Sequence, residues 1–427
     1  MKINKPNIYF TLICFTISAF FFGYIFYKSE IFAEGTKHSY YLKYYIISVF
    51  FFIFSFITLF LKKETIYITS TISLSSLFAI YLIEYFLTIK FKEPPNEKLR
   101  YIQEFKKKDP KIVPMIYPAD QMYRKDNNKI TPLAGISKKK TIFCKEDGPL
   151  IEYQSDRYGF NNFDYIWDKQ EIYAVTIGDS FTQGACVNTK NSIAYNINKK
   201  KSLLNLGIGG TGPLVHYAIV REYIDKANPK KIIWIYYEEN DLGDLIYEKS
   251  QPVLRRYLQD ESFSQKLILK QNDIDKKLIR ILHQEIENQD KIKIKKIKNF
   301  FKLKFIRQML FDKVSENQVL IPKDFSIILK RIKKLSKKKN IDLYFVYLPE
   351  KERYLKNLGN SEQYREYQKV IKIINDLEIS LIDLNFEFQK NFENPLDLYN
   401  QNQLHLNTFG YKKAAELIYG KINELNK

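Results

Sequence analysis

A three-layer α/β/α domain on a five-stranded parallel sheet, set behind N-terminal transmembrane helices, is the fold class this sequence predicts. Three observations predict it. From Ile172 onward, short apolar β-branched runs alternate with helical patterns, as expected of a parallel sheet covered on both faces. At the amino end, three longer apolar stretches each have the length to cross a hydrocarbon core. Between these regions, residues 93–150 are polar, Lys-rich and punctuated by Pro94, Pro95, Pro110, Pro114, Pro118 and Pro132, the composition of a connector with short edge strands at most.

The amino-terminal region, residues 1–92, is expected to hold three spanning helices at about 8–27, 44–61 and 66–89. The first apolar stretch is too long for a signal peptide, and no small-residue cleavage site follows it. Lys2 and Lys5 precede the first helix, and Lys62 and Lys63 separate the second from the third. Under the positive-inside rule both loops are cytoplasmic, so three crossings deliver the rest of the chain outside. Lys90 and Lys92 oppose that placement, although long domains translocate largely regardless of charge. Localisation is thus expected in a membrane, multi-pass, with the large domain on the extracytoplasmic side of a bacterial inner membrane. Glu84, near the end of the third span, is expected to snorkel to the interface.

Within the domain, residues 151–427, the candidate strands are Ile172–Ile177, Ser202–Leu206, Lys231–Tyr237, Asp342–Leu348 and Ser380–Leu384. A last amphipathic helix begins near Thr408. Residues 251–334 interrupt the alternation as a charged helical insertion, in which Ile294, Ile297, Phe301 and Phe305 share a face among lysines. That face can lie on anionic headgroups; the favoured reading is a cap packed on the domain. Ser155–Asn162 reads as a packed lead-in loop.

The 427 residues carry a net charge of +20. Lysines are spread along the whole chain with no basic stripe or reading motif, which argues against a nucleic-acid partner. The 3 cysteines have no metal spacing, and HExxH and CxxC are absent, so no metal is expected. The glycine loop Asn205–Pro213 lacks the G-x-G-x-x-G spacing of a dinucleotide site, so no cofactor is expected either.

Gly178-Asp179-Ser180 closes the first strand, and Gly184 follows one turn later. A strand that turns sharply into a helix presents a side chain at the carboxyl edge of the sheet, where α/β proteins place their chemistry. Ser180 is therefore the candidate nucleophile. A serine hydroxyl needs a base, an orienter for that base, and donors for the developing oxyanion. The Asn205–Pro213 loop can bring backbone N–H groups close to a ligand, and Asn240 in Glu238-Glu239-Asn240-Asp241 can add a side-chain amide. Of the histidines His38, His216, His283 and His405, only His405 lies in a loop just before a helix after the last strand.

Together these blocks resemble the SGNH (GDSL-type) hydrolase superfamily over roughly residues 151–427. The match consists of Gly178-Asp179-Ser180 with Gly184, the Asn205–Gly210 loop, Asn240-Asp241, and His405 near the end. The resemblance implies a flavodoxin-like sheet in the order 2-1-3-4-5. It implies Ser180 as nucleophile, His405 as base, and Gly210, Asn240 and the Ser180 N–H as the oxyanion hole. Two positions depart from the pattern. Glu239 stands where the family usually has Gly, and Asn402 stands where Asp-x-x-His places the acid. Asn402 can orient an imidazole but supplies no charge, which leaves a Ser-His dyad or another carboxylate such as Asp397. In an oxidising compartment Cys144 and Cys186 could form a disulfide tying the connector to the nucleophile helix; two isolated buried thiols are the alternative.

These features imply a membrane-anchored serine esterase or O-acyltransferase acting on acyl esters, acetyl foremost, of a cell-envelope glycan or lipid. Its partners would be the bilayer and that substrate. The rival is an envelope glycan-binding or assembly protein that keeps the fold without the acid.

Overall fold

A computed structural model of the chain describes residues 4–35, 38–91, 107, 109, 111–118, 130–146, 149–287, 297–311, 321–358, 361, 364–401 and 403–425. The chain forms two compact units, one of residues 1–95 with 287–320, the other of residues 96–286 with 321–427.

In the first unit, α1 (Lys5–Phe26), α2 (His38–Thr58) and α3 (Lys63–Lys90) are the three expected spans. Lys5–Phe32, Tyr40–Thr58 and Lys63–Lys90 are long and apolar enough to cross a membrane. The helices start ahead of their apolar windows because polar residues there continue the helical backbone, and α2 stops at Thr58, short of the expected 61. Small polar side chains join α1 to α2. Thr11 and Thr58 share a hydroxyl hydrogen bond of 2.6 Å, and Ser18 Oγ donates to the Ser48 carbonyl at 2.8 Å. Where lipid is as apolar as leucine, such bonds and close packing are what hold helices together.

Glu84 does not snorkel. It is fully buried, and its two carboxylate oxygens accept the Phe305 and Ile306 backbone N–H groups, each at 3.0 Å. These groups open the helix Lys304–Phe311, where the first N–H groups have no intrahelical acceptor. Tyr81 adds a bond to the Phe301 carbonyl at 3.2 Å, and its ring lies 5.5 Å from that of Phe300. The expected insertion 251–334 is therefore divided. Residues 297–311 belong to the first unit and pack on α3, not as a cap on the domain, with Ile297 and Phe301 exposed. Ile294 lies outside the described residues.

The second unit holds two sheets. The smaller joins β1 (Val113–Pro114), β2 (Lys140–Cys144) and β3 (Ile151–Gln154), with β2 antiparallel to β3. The expected connector 93–150 thus carries a built element of this unit.

The larger sheet has β4 (Ile172–Gly178), β5 (Leu203–Asn205), β6 (Pro229–Tyr237), β7 (Asp342–Leu348) and β8 (Ser380–Asp383). All are parallel, in the spatial order β5-β4-β6-β7-β8. Counted from β4, that is 2-1-3-4-5. Both faces are buried, as the apolar runs required. On β6, Ile233, Ile235 and Tyr237 join the core beneath the helices Ile193–Asn198 and Thr408–Leu425. Trp234 and Tyr236 point oppositely, with ring centroids 6.5 and 5.8 Å from that of Phe325 on the helix Lys323–Lys338.

The lead-in loop is packed, as expected. Buried Asp156 accepts the Tyr158 and Phe160 N–H groups, both at 2.9 Å, the Asn162 amide at 2.8 Å and the Trp167 indole at 2.7 Å. Burial raises its carboxyl to about 6 against the pull of these donors.

Candidate active site

β4 ends at Gly178, whose φ of 151° and tight surroundings exclude a side chain. An added Cβ would strike Thr182 Oγ1 and the Ile235 carbonyl. The chain then enters the short helix Ser180–Gln183, capped by Asp179, which accepts the Phe181 N–H at 2.9 Å. Ser180 is thereby raised at the sheet's carboxyl edge, half-buried. Its Oγ lies 2.9 Å from Nε2 of His405.

His405 is held by the loop that precedes the last helix. Tyr399 and Leu406 form a bridge, the Asn400 N–H donates to the His405 carbonyl at 2.9 Å, and Lys351 Nζ donates to the Asn400, Gln401 and Gln403 carbonyls. The Phe181 ring flanks the imidazole at 4.7 Å between centroids.

The carboxylate that meets the far nitrogen of His405 is Glu146, just after β2. His405 Nδ1 and Glu146 Oε1 are 2.6 Å apart, and Glu146 Oε2 accepts the Asn400 amide at 2.8 Å. An ionised carboxylate only accepts, so the ring proton sits on Nδ1 and Nε2 is left to accept from the Ser180 hydroxyl. Burial works against the charge on Glu146, but the bonds from His405 and Asn400 outweigh it and hold the carboxyl below its usual range. Sequence reasoning looked for this acid at Asn402 or Asp397. Asn402 lies outside the described residues. Asp397 is exposed, and its carboxylate accepts the Asn394 amide at 3.0 Å. The other histidines are elsewhere: His216 is a buried core residue bonded to Trp234 Nε1 at 3.1 Å and lowered to about 3 by burial, His38 pairs with Glu30 at 2.8 Å, and His283 is exposed.

Cys144 and Cys186 are joined in a disulfide, the first of the two alternatives. Cys144 is two residues from Glu146, and Cys186 Sγ lies 3.9 Å from His405 Nδ1.

The glycine loop packs against the same helix. Gly209 N–H donates to Gln183 Oε1 at 2.7 Å and Ile208 N–H to the Gly178 carbonyl at 3.0 Å, while a Cβ on Gly207 would strike Thr182 and the Gln183 nitrogen. Gly210 follows with φ 66°. Glu248 secures the loop's far end by accepting the Gly212, Leu214 and Val215 N–H groups at 2.5, 3.0 and 3.3 Å. Burial pushes its carboxyl up to about 8.

Asn240 follows β6, whose Ile235 is in register with Gly178. Its Nδ2 donates one hydrogen to Asp244 at 3.1 Å, and the same amide carries a second. Asp241 turns inward to accept the Tyr237 N–H at 3.1 Å. Burial and the neighbouring Asp179 raise Asp241 well above the usual range, and burial raises Asp179 to about 6. Two carboxyls under the nucleophile turn cannot both hold charge cheaply.

Sequence reasoning also missed what lies under the Asn240 turn. Glu238 and Arg353 form a fully buried ion pair, and Glu238 further accepts the Tyr347 hydroxyl at 2.6 Å and the Glu350 N–H at 2.9 Å. The acidic run Glu238-Glu239 was the only sign of it.

No family model and no curated protein matches this chain. Among solved structures it is similar to a lipolytic protein of the G-D-S-L family from Desulfitobacterium hafniense DCB-2, at 15% identity and TM-score 0.33, over 59% of this chain and 99% of that one. It is similar to an acetyl xylan esterase at 15% identity and TM-score 0.31, over 58% and 98%. A two-domain esterase active on acetylated mannans is similar at 12% identity and TM-score 0.33, over 61% of this chain and 51% of that one. In its strand order and in the motifs gathered at one sheet edge the α/β unit resembles the SGNH (GDSL-type) fold, and among the described residues the chain has three helices long and apolar enough to span a membrane.

Proposed function

We propose that the protein is a membrane-anchored serine esterase or O-acyltransferase that works through an acyl-enzyme. The observation that carries this reading is the hydrogen-bonded line Ser180 Oγ, His405 and Glu146, with steps of 2.9 and 2.6 Å. His405 Nε2 takes the hydroxyl proton as Ser180 Oγ attacks the ester carbonyl carbon. Glu146 stabilises the resulting imidazolium. The Ser180 and Gly210 N–H groups and the Asn240 amide are the donors for the oxyanion. Collapse breaks the bond to the leaving alcohol, whose oxygen receives the proton from His405. Water or an acceptor hydroxyl then attacks the acyl-Ser180 ester by the same route reversed, giving hydrolysis or transfer.

Outward placement of the domain is supported by Lys2, Lys5, Lys62 and Lys63 and by the Cys144–Cys186 disulfide, since such bonds persist in oxidising compartments. Tethering to a bilayer favours a substrate kept near it, an acylated, foremost acetylated, envelope glycan or lipid.

The test is labelling of the detergent-purified chain by a fluorophosphonate probe. Label on the wild type that disappears in Ser180→Ala and falls sharply in His405→Ala supports the reading. A wild type that takes up no label, with its fold intact by circular dichroism, defeats it and leaves a non-catalytic glycan-binding or assembly role.

A further inference from the structure

The acid of the proposed catalytic line comes from outside the large sheet. Glu146 sits in the turn between β2 and β3, strands of the smaller sheet, whereas Ser180 and His405 sit at the carboxyl edge of the larger one. An acid borne on the histidine's own loop is positioned by that loop. Here something else must hold two sheets in register to within the tolerance of a 2.6 Å bond.

The Cys144–Cys186 bond stands at that junction. It starts two residues from the acid and ends six residues from the nucleophile. Its far end is anchored. The Ala185 N–H donates to the Ser180 carbonyl at 2.9 Å, and Tyr411 Oη donates to the Ala185 carbonyl at 3.1 Å. Cys186 itself has φ 62°, a backbone region that residues with side chains rarely adopt. Apart from this link, the Glu146 carboxylate is held by groups of the His405 loop, namely Asn400 Nδ2, the His405 N–H at 3.4 Å and His405 Nδ1.

We infer that the Cys144–Cys186 disulfide is a positioning element for Glu146, so that the oxidised chain is the competent form and reduction uncouples the acid from His405. This rests on the catalytic reading above for its effect on turnover, but not for its effect on structure. A thiol reductant supplies two electrons and two protons to the sulfur–sulfur bond. The products are two cysteine thiols and the reductant's own disulfide. The β2 end then keeps its pairing within the smaller sheet, the Gln183 bond to Tyr153 Oη on β3 at 3.3 Å and the Glu146 bonds just named, but no covalent link to the nucleophile helix.

The test uses the full chain in detergent, with wild type, Cys144→Ser/Cys186→Ser, Glu146→Gln and the triple variant, and p-nitrophenyl acetate as substrate. EDTA accompanies the phosphine-reduced wild type, because the donor atoms of Cys144, Glu146, Cys186 and His405 lie within 4.8 Å of one another and freed thiolates there would take up zinc. Removing the cross-link with Glu146 present should lower kcat about 10–100-fold with KM within about 2-fold; with Gln at position 146 it should cost less than about 2-fold. An equal cost in both backgrounds overturns the inference, because the bond would then serve the fold at large. Hydrogen exchange on Ser180→Ala gives a readout free of catalysis. Reduction should speed exchange in residues 140–146 and 400–405, and unchanged exchange there overturns the inference. A wild type without turnover counts against the catalytic reading alone, and exchange still decides the tether.

Discussion

Glu146 Oε1 meets His405 Nδ1 at 2.6 Å across 259 positions of sequence. The carboxylate fixes the imidazole tautomer and its orientation. Glu146→Gln should therefore lower kcat on p-nitrophenyl acetate by about 10²–10⁴-fold with KM little changed; in trypsin, loss of the corresponding charge costs about 10⁴. Asp397→Asn should stay within about 2-fold of wild type, because its carboxylate faces Asn394. Steady-state kinetics on the two variants decides between the acids.

In the proposed mechanism Asn240 acts through an N–H that matters only once the carbonyl oxygen becomes negative. Asn240→Ala should lower kcat about 10²–10³-fold while KM moves less than about 3-fold. A rise in KM with kcat preserved would make Asn240 a ground-state binding group.

Glu84 satisfies two N–H groups at the start of the helix Lys304–Phe311. Glu84→Ala leaves both without their acceptor, which costs about 1–3 kcal/mol for each such buried group. Trypsin cleavage after Lys298, Lys302 and Lys304 in detergent should speed up by at least about 30-fold, the factor for the low end of about 2 kcal/mol for the two groups together. Glu84→Gln keeps one acceptor oxygen and should fall between. Equal cleavage rates in all three proteins would mean that the segment is held by other contacts.

Glu248 keeps its proton in the folded chain to about pH 8, against an ordinary 4.5. Between those values the unfolded chain has released a proton that the folded chain still binds, so this group makes stability fall as pH rises. Glu248→Gln removes that contribution. Its melting temperature should decline less between pH 5 and pH 8 than the wild type's, and parallel curves would contradict the assignment.

The large sheet was legible because strands buried on both faces must be apolar throughout, and they read as bare runs. Asp342–Leu348 has the bounds its residues suggested, three other strands differ by one or two positions at an end, and β5 is shorter by one at each end. The turns that hold Ser180 and His405 were legible, and the structure brings the two side chains to 2.9 Å of one another. Glu146 was not, because Lys145-Glu146-Asp147 looks like any polar turn and its role depends on where a second sheet lies. One signal was available. If Cys144 pairs with Cys186, the residues next to Cys144 must sit near the nucleophile helix. The segment 297–311 was misread because its apolar face says only that something covers it, and Glu84 was the group that named α3 as its neighbour.

The order of the proposed catalytic groups along the chain is Glu, Ser, His, with the acid upstream of the first strand of the large sheet. Anyone trimming this protein for soluble expression would be drawn to cut at residue 151, after the proline-rich stretch. That fragment would keep the hydroxyl and the imidazole, discard the charge that aligns them, and leave Cys186 with an orphan sulfur. Any feeble turnover would then report the position of the cut and nothing about the proposed catalytic line.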